Sequence, residues 1–263
     1  YAATAFVYGQ TGSGKTYTIS GPQDAHAASQ GPQTWGLVQH SLDALFQAIE
    51  QERQRPGIPV SRVVQASYLE IYNEQIIDLL NPSSGPLPIR WSSSAGFYVE
   101  NQIKMDCDAL EDCHHVLNEG LRNRSVRAHA LNDYSSRSHA LLTLYVNVVE
   151  AVPQAGDSLR KHGKLCFVDL AGSERLAETK NAGDARTESV NINQSLTTLG
   201  RCIAMLSDPK RKADHVPFRD SKLTQLLADA LGGKAYMLMI ACITLLPAQV
   251  PESINTLRYA QRA

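Results

Sequence analysis

Apolar and polar positions follow two periods along the chain, and the periods take turns. Short apolar runs at residues 4–8, 60–72, 141–150, 164–170 and 236–243 each predict a core strand. Between them apolar residues recur every three or four positions at 15–19, 36–53, 107–123 and 191–207, which predicts helices. The first helical pattern can be read as continuing into the second across an inserted loop. Shorter helices are expected at 221–230 and at 251–262, where Pro251 is tolerated in the first turn. Clusters of Gly, Pro and Ser mark loops at 20–35, 56–59, 81–94, 152–163 and 208–214. This alternation predicts an α/β fold, with helices on both faces of a mixed central sheet, parallel and antiparallel. No loop is long enough to separate independent units and no repeat is present, so residues 1–263 read as one domain. The chain opens inside a strand-like run and stops straight after a helical one, so both ends are expected to be cuts.

Composition narrows the class. A chain of 263 residues, 43% hydrophobic and 19% charged, can bury a large core and is not expected to be disordered. A formal net charge of -1 leaves no chain-wide basic field, so nucleic acid is not an expected partner, and any polyanion must meet a local patch. Five scattered cysteines with no C-x-x-C spacing argue against a disulfide framework and a zinc site, and fit a reducing cytosolic compartment. The longest apolar stretch, 237–246, falls well short of the roughly 20 residues that span a bilayer, and no secretory leader opens the chain. A soluble, intracellular domain without membrane contact is expected.

Three segments carry chemistry. Gly9-Gln10-Thr11-Gly12-Ser13-Gly14-Lys15-Thr16 matches G-x-x-x-x-G-K-[ST] and lies between an apolar strand and a helical pattern, the context that motif requires. Glycines let the backbone curl so that successive N–H groups face phosphate oxygens, and the following helix adds the positive end of its dipole. Lys15 would reach the β- and γ-phosphates, and Thr16 would bind magnesium; Tyr17 follows directly. The bland alternative is a glycine-rich turn beside an exposed lysine, but a chance match in a chain this long is on the order of 1%. The run 164–170 ends in Asp169, with Gly172 three residues on. Alone, a strand-end aspartate is more often a turn former or cap; beside a phosphate loop it is a candidate to hold magnesium through water. Asn132-Asp133-Tyr134-Ser135-Ser136-Arg137-Ser138-His139 gathers hydroxyls around one arginine. Alone it is a polar loop with a helix cap; with the other two segments, its hydroxyls and amide can bridge γ-phosphate, metal and water. Arg137 could then pair with a carboxylate such as Glu174.

Together and in this order, the segments resemble the kinesin superfamily, with its G-Q-T-x-S-G-K-T phosphate loop, N-x-x-S-S-R-S-H switch I and D-L-A-G-S-E switch II. The similarity extends to Ser67-Tyr68-Leu69-Glu70-Ile71-Tyr72-Asn73-Glu74, Asn191-Ile192-Asn193-Gln194-Ser195-Leu196, the run 215–224 and Asn255-Thr256-Leu257-Arg258-Tyr259-Ala260. The runs 120–129, 164–169 and 226–229 narrow it to one subfamily. The resemblance implies the P-loop NTPase fold of a kinesin motor domain, incomplete here: the family's first strand and adenine-stacking segment would precede Tyr1, and its neck would follow Ala263.

It further implies a microtubule-stimulated ATPase using ATP and Mg2+, in cytoplasm on microtubules. Residues 10–14 and Lys15 would hold phosphates, Thr16 and Ser136 would ligate magnesium, and Asp169 would lie behind it through water. Asn132 and the Gly172 amide would approach the γ-phosphate, and Arg137 with Glu174 would close over the nucleophilic water; Ser135 belongs to the same loop. Tubulin is acidic, so Lys180, Arg186, Arg201, Lys210, Arg211, Lys212, Arg219 and Lys222 are the candidate microtubule contacts, although any one of them could simply be a solvated charge. Without a heptad run the isolated domain is expected to be a monomer. Lys234 departs from the family, which usually has Asn there. The alternatives are another P-loop enzyme, against which the absence of N-K-x-D counts for GTPases, and a catalytically silent kinesin-like microtubule-binding module.

Overall fold

The computed structural model describes residues 1–22, 31–54, 60–130, 136–152, 157–174, 184–208 and 215–263. Among these, the main sheet runs in the order β3-β2-β7-β8-β1-β9, with β6 also paired to β2. Its strands are β1 (Ala2–Tyr8), β2 (Val60–Tyr72), β3 (Gln75–Asp78), β6 (Met105–Asp106), β7 (His139–Val152), β8 (Asp157–Asp169) and β9 (Tyr236–Ala241). β1 is parallel to both β8 and β9, whereas β2 pairs antiparallel with β7 and β7 with β8. A small hairpin of β4 (Ile89–Ser92) and β5 (Gly96–Val99) stands apart.

The period of two along β1 explains the layering. Ala5 and Val7 point into one core, with α1 (Lys15–Ser20), α2 (Leu37–Arg53) and α3 (Leu110–Ala130) supplying Ile19, Leu42 and Leu117. Phe6 and Tyr8 point into the other, where α4 (Asp184–Ser207), α5 (Lys222–Leu226) and α6 (Val250–Ala260) bring Leu199, Leu223 and Tyr259. The Tyr259 ring stacks on Tyr8 at 4.1 Å.

α1 and α2 meet end to end as the sequence pattern suggested. A Cβ on Gly36 would lie 2.3 Å from Gly21 N and 2.7 Å from the Ile19 carbonyl, so only glycine permits the approach. Gln39 Nε2 secures the joint by donating to Ser20 O at 2.6 Å.

Several expectations need correcting. Residues 157–163, expected as loop, are strand: β8 pairs with β7 from Ala140↔Asp169 out to Val152↔Asp157. The loop expected at 81–94 contains β4. α3 reaches Ala130 rather than 123, α4 begins at Asp184 rather than 191, and α5 stops at Leu226 rather than 230. β3, β5 and β6 were not anticipated; each is two to four residues long. Among the described residues no helix is long and apolar enough to cross a membrane.

Candidate functional site

The C-terminal ends of β1 and β8 lie side by side, and there the chain turns polar. After Tyr8 it bends at Gly9, where a Cβ would fall 2.1 Å from the Cys242 carbonyl oxygen, and it enters α1 through Gly14 with φ 92°. The Gln10 carbonyl gathers Ser13 N–H at 3.3 Å, Ser13 Oγ at 2.7 Å and Lys15 Nζ at 2.8 Å. Among the described residues the N–H groups of Gly12, Gly14, Lys15 and Thr16 have no acceptor. They border a cleft of about 290 Å³ lined by Thr11, Gly12, Gly14, Lys15, Thr16 and Tyr17, with Ser136 and Leu170 opposite. Of the sequence-predicted residues, Thr11, Gly12, Gly14, Lys15, Thr16 and Tyr17 therefore share one concavity with Ser136.

Asp169 closes β8. Its Oδ2 accepts Thr16 Oγ1–H at 2.8 Å and Arg124 Nη1–H at 2.7 Å, whereas its Oδ1 is buried with no hydrogen-bond partner among the described residues. A hydrated divalent cation would satisfy that oxygen, so the donor set of Thr16, Ser136 and Asp169 fits magnesium, a hard ion that prefers oxygen ligands and keeps its waters. Lys15 is almost buried; burial lowers its pKa, opposed first by Asp169 and then by Glu174.

Arg124, from α3, was missed by sequence reasoning. Besides Asp169 it donates from Nη2 to Ser138 O at 3.2 Å, and its Nε lies 3.7 Å from Glu70, which also pairs with Arg127 at 3.0 Å. Burial opposes the Arg124 charge, but Asp169, Tyr68 and Glu70 outweigh it and hold the guanidinium more firmly protonated. The signal was present: a glutamate in the apolar run Tyr68-Leu69-Glu70-Ile71 must find a buried cation.

Residues 170–174 tie the site together. Gly172 N–H donates to Ser136 O at 2.7 Å, Ser173 N–H to Gly9 O at 3.1 Å, and Thr11 N–H to Glu174 Oε2 at 2.8 Å, with the Thr11 hydroxyl on Glu174 Oε1. The Gly172 amide expected to face a γ-phosphate is thus held by Ser136 O, a bond the phosphate would have to replace. His139 Nδ1 accepts Ala171 N–H at 3.0 Å, so its Nε2 carries the hydrogen and donates to Ser195 Oγ of α4 at 2.8 Å. Burial, reinforced by the Arg124 charge, pushes the His139 pKa down to about 3 and keeps the ring neutral.

Arg137 is half-buried beside Ser136. Asn132, Ser135, Lys180, Lys210, Arg211 and Lys212 lie outside the described residues, and at Arg186 only the backbone of α4 is described. Arg201 on α4 is exposed and 3.7 Å from Asp220; Arg219 is exposed in the turn Phe218–Asp220, and Lys222 opens α5.

The family model "Kinesin motor domain" matches residues 1–263. Mouse "Kinesin-like protein KIF12" is 46% identical across the whole chain, which spans 41% of that relative. Mouse "Kinesin-like protein KIF27" is 39% identical, with 19% of its length covered, and chicken "Chromosome-associated kinesin KIF4" is 40% identical, with 21% covered. The chain thus spans less than half of these curated relatives. A solved structure described as "Structure of a fast kinesin: Implications for ATPase mechanism and interactions with microtubules" superposes with TM-score 0.87 at 33% identity, covering all of this chain and 70% of that one. The "C-terminal motor and motor homology domain of Kar3Vik1" gives 0.81 at 32%, covering 63% of that chain.

Proposed function

Because the chain belongs to the kinesin motor domain family, whose members in general bind nucleotide with magnesium and work on microtubules, we propose that it hydrolyses ATP and couples hydrolysis to changes in microtubule affinity and to movement. The observation that carries this reading is the Asp169 carboxylate: one oxygen is held by Thr16 and Arg124, and the other is buried and unsatisfied beside the open phosphate loop.

Lys15 and the loop 10–14, with the open N–H groups of Gly12, Gly14, Lys15 and Thr16, bind the phosphates, while Tyr17 borders the same cleft. Thr16 and Ser136, and Asp169 through water, would hold magnesium, which would supply positive charge to neutralise the phosphates. Asn132, with Ser135 in the same loop, meets the γ-phosphate. Arg137 and Glu174 close over the attacking water, which requires Glu174 to leave Thr11. Gly172 gives up Ser136 O for the phosphate, so hydrolysis state is written into the link between residues 136–139 and 170–174. His139 passes that change to Ser195 on α4, the helix that with Arg201, Arg219, Lys222 and the cations at 180, 186 and 210–212 faces acidic tubulin. The domain acts as a monomer, in cytoplasm on microtubules, and residues 1–263 form one motor domain.

Co-sedimentation with polymerised tubulin tests the reading. Binding should be strongest with a non-hydrolysable ATP analogue and weakest with ADP. Binding indifferent to nucleotide would reduce the chain to a silent microtubule-binding module.

A further inference from the structure

The turn between β2 and β3 is held in an unfavourable backbone conformation. Asn73 and Glu74 have φ of 52° and 56°, between the paired residues Tyr72 and Gln75. Two successive left-handed residues suit the twist of a tight hairpin, but the second position favours glycine, and glutamate there carries a conformational cost.

The side chain supplies a reason. Glu74 Oε2 accepts Lys222 N–H at 2.7 Å, and Oε1 accepts the Ser221 hydroxyl at 3.0 Å. Ser221 is the N-cap of α5, its Oγ accepting Leu223 N–H at 3.1 Å. The carboxylate thus satisfies one orphan N–H and turns the capping hydroxyl so that a lone pair is left for Leu223.

A five-residue helix does not hold itself together. α5 is bound to its surroundings instead: Thr224 Oγ1 donates to Phe218 O at 2.8 Å, and Gln194 Nε2 of α4 donates to Asp220 O at 3.1 Å. Arg201, Arg219 and Lys222 therefore ride on one unit, and Glu74 ties that unit to the sheet. Four residues earlier on β2, Glu70 enters the Arg124 cluster beside Asp169. One strand end delivers a carboxylate to each region.

We propose that Glu74 is a positioning residue for the microtubule-binding surface, holding the start of α5, and with it Arg219 and Lys222, at a fixed place against the sheet. This rests on the microtubule reading above.

The test measures ATP turnover by the full chain against microtubule concentration, together with amide exchange at 222–226 in the absence of microtubules. Glu74→Gly removes the carboxylate while suiting the left-handed backbone, and Asn73→Gly alters the turn without touching the clamp. Loss of two hydrogen bonds at a helix start should raise the half-saturating microtubule concentration about five- to tenfold in Glu74→Gly. Ser221→Ala, which removes the other side of the clamp, should raise it about threefold, and Glu74→Gln, which keeps an acceptor for Lys222, by less than about twofold. Asn73→Gly should leave it unchanged, and basal turnover should hold in all four variants. Exchange at 222–226 should quicken in Glu74→Gly. Wild-type microtubule affinity in both Glu74→Gly and Ser221→Ala would overturn the proposal, as would a parallel fall of basal and stimulated turnover. Absence of stimulation in the wild-type chain would remove the surface role with the reading it rests on; quickened exchange would then locate the failure in that reading, and unchanged exchange in the clamp as well.

Discussion

β7 and β8 are one continuous antiparallel pair, yet their two ends are built differently. At the end formed by His139 and Asp169 the polar side chains are buried: Ser138, His139 and Asp169 are 0%, 2% and 4% exposed, and each is gripped by a partner from α3, α4 or the phosphate loop. At the other end Lys161 meets Glu150 at 2.7 Å and His162 meets Asn147 at 2.7 Å, but these pairs stand in solvent. Backbone pairing is equally complete along the ladder, so pairing does not distinguish the ends. What differs is the cost of leaving a polar group alone. In solvent, water substitutes for a lost partner; in the interior nothing does, and the partners must be specified.

The contrast breaks most sharply at Arg124. Replacing it with Ala leaves the Asp169 and Glu70 carboxylates buried without their shared cation, and should lower unfolding stability by about 3–5 kcal/mol in urea titration. Gly172→Ala comes next. Its new methyl group would lie 2.4–2.5 Å from the Glu174 oxygens and Thr11 Oγ1, and displacing them should slow turnover on the order of tenfold to a hundredfold in a steady-state assay.

The third test is pH. Folded His139 stays neutral down to about 3, whereas in the unfolded chain it takes up a proton below its ordinary value near 6.5. Unfolding therefore absorbs a proton between those limits. Below pH 6.5 this histidine should remove about 1.4 kcal/mol of stability per pH unit, a slope missing from His139→Asn in urea titrations across pH 5–7. The smallest effect belongs to the far end, where Lys161→Ala should cost no more than about 1 kcal/mol because the pair is exposed and screened. A larger loss there would erase the distinction between the two ends.

The same contrast governs how far the sequence could be read. β1, β2 and the inner half of β8 were legible because a short, largely apolar run records burial on both faces of a sheet. Residues 158–163, Ser-Leu-Arg-Lys-His-Gly, bury almost nothing, so their polarity and the nearby glycines imitated a loop; only pairing with β7 makes them a strand. β3 and β6 left too short a record to see. At the site, the phosphate loop was legible from spacing and Ser136, Gly172 and Glu174 from the family resemblance; Thr11, Gly12, Gly14 to Tyr17 and Ser136 line one cleft, and Asp169, Gly172 and Glu174 are hydrogen-bonded to its lining residues. Arg124 was not: a lone arginine on a helix has no motif, and its meaning comes from lying opposite Asp169 across 45 residues of chain. Nor could spacing tell that Glu74, read as part of a family signature, closes on Ser221 and Lys222.

ATP turnover by the purified chain, with and without polymerised tubulin and beside Glu174→Ala, tests the central claim most directly. The account predicts turnover that rises at least about tenfold with microtubules and falls a hundredfold or so when the carboxylate over Gly172 is removed. Turnover absent in the wild type, or unchanged by Glu174→Ala, would contradict it.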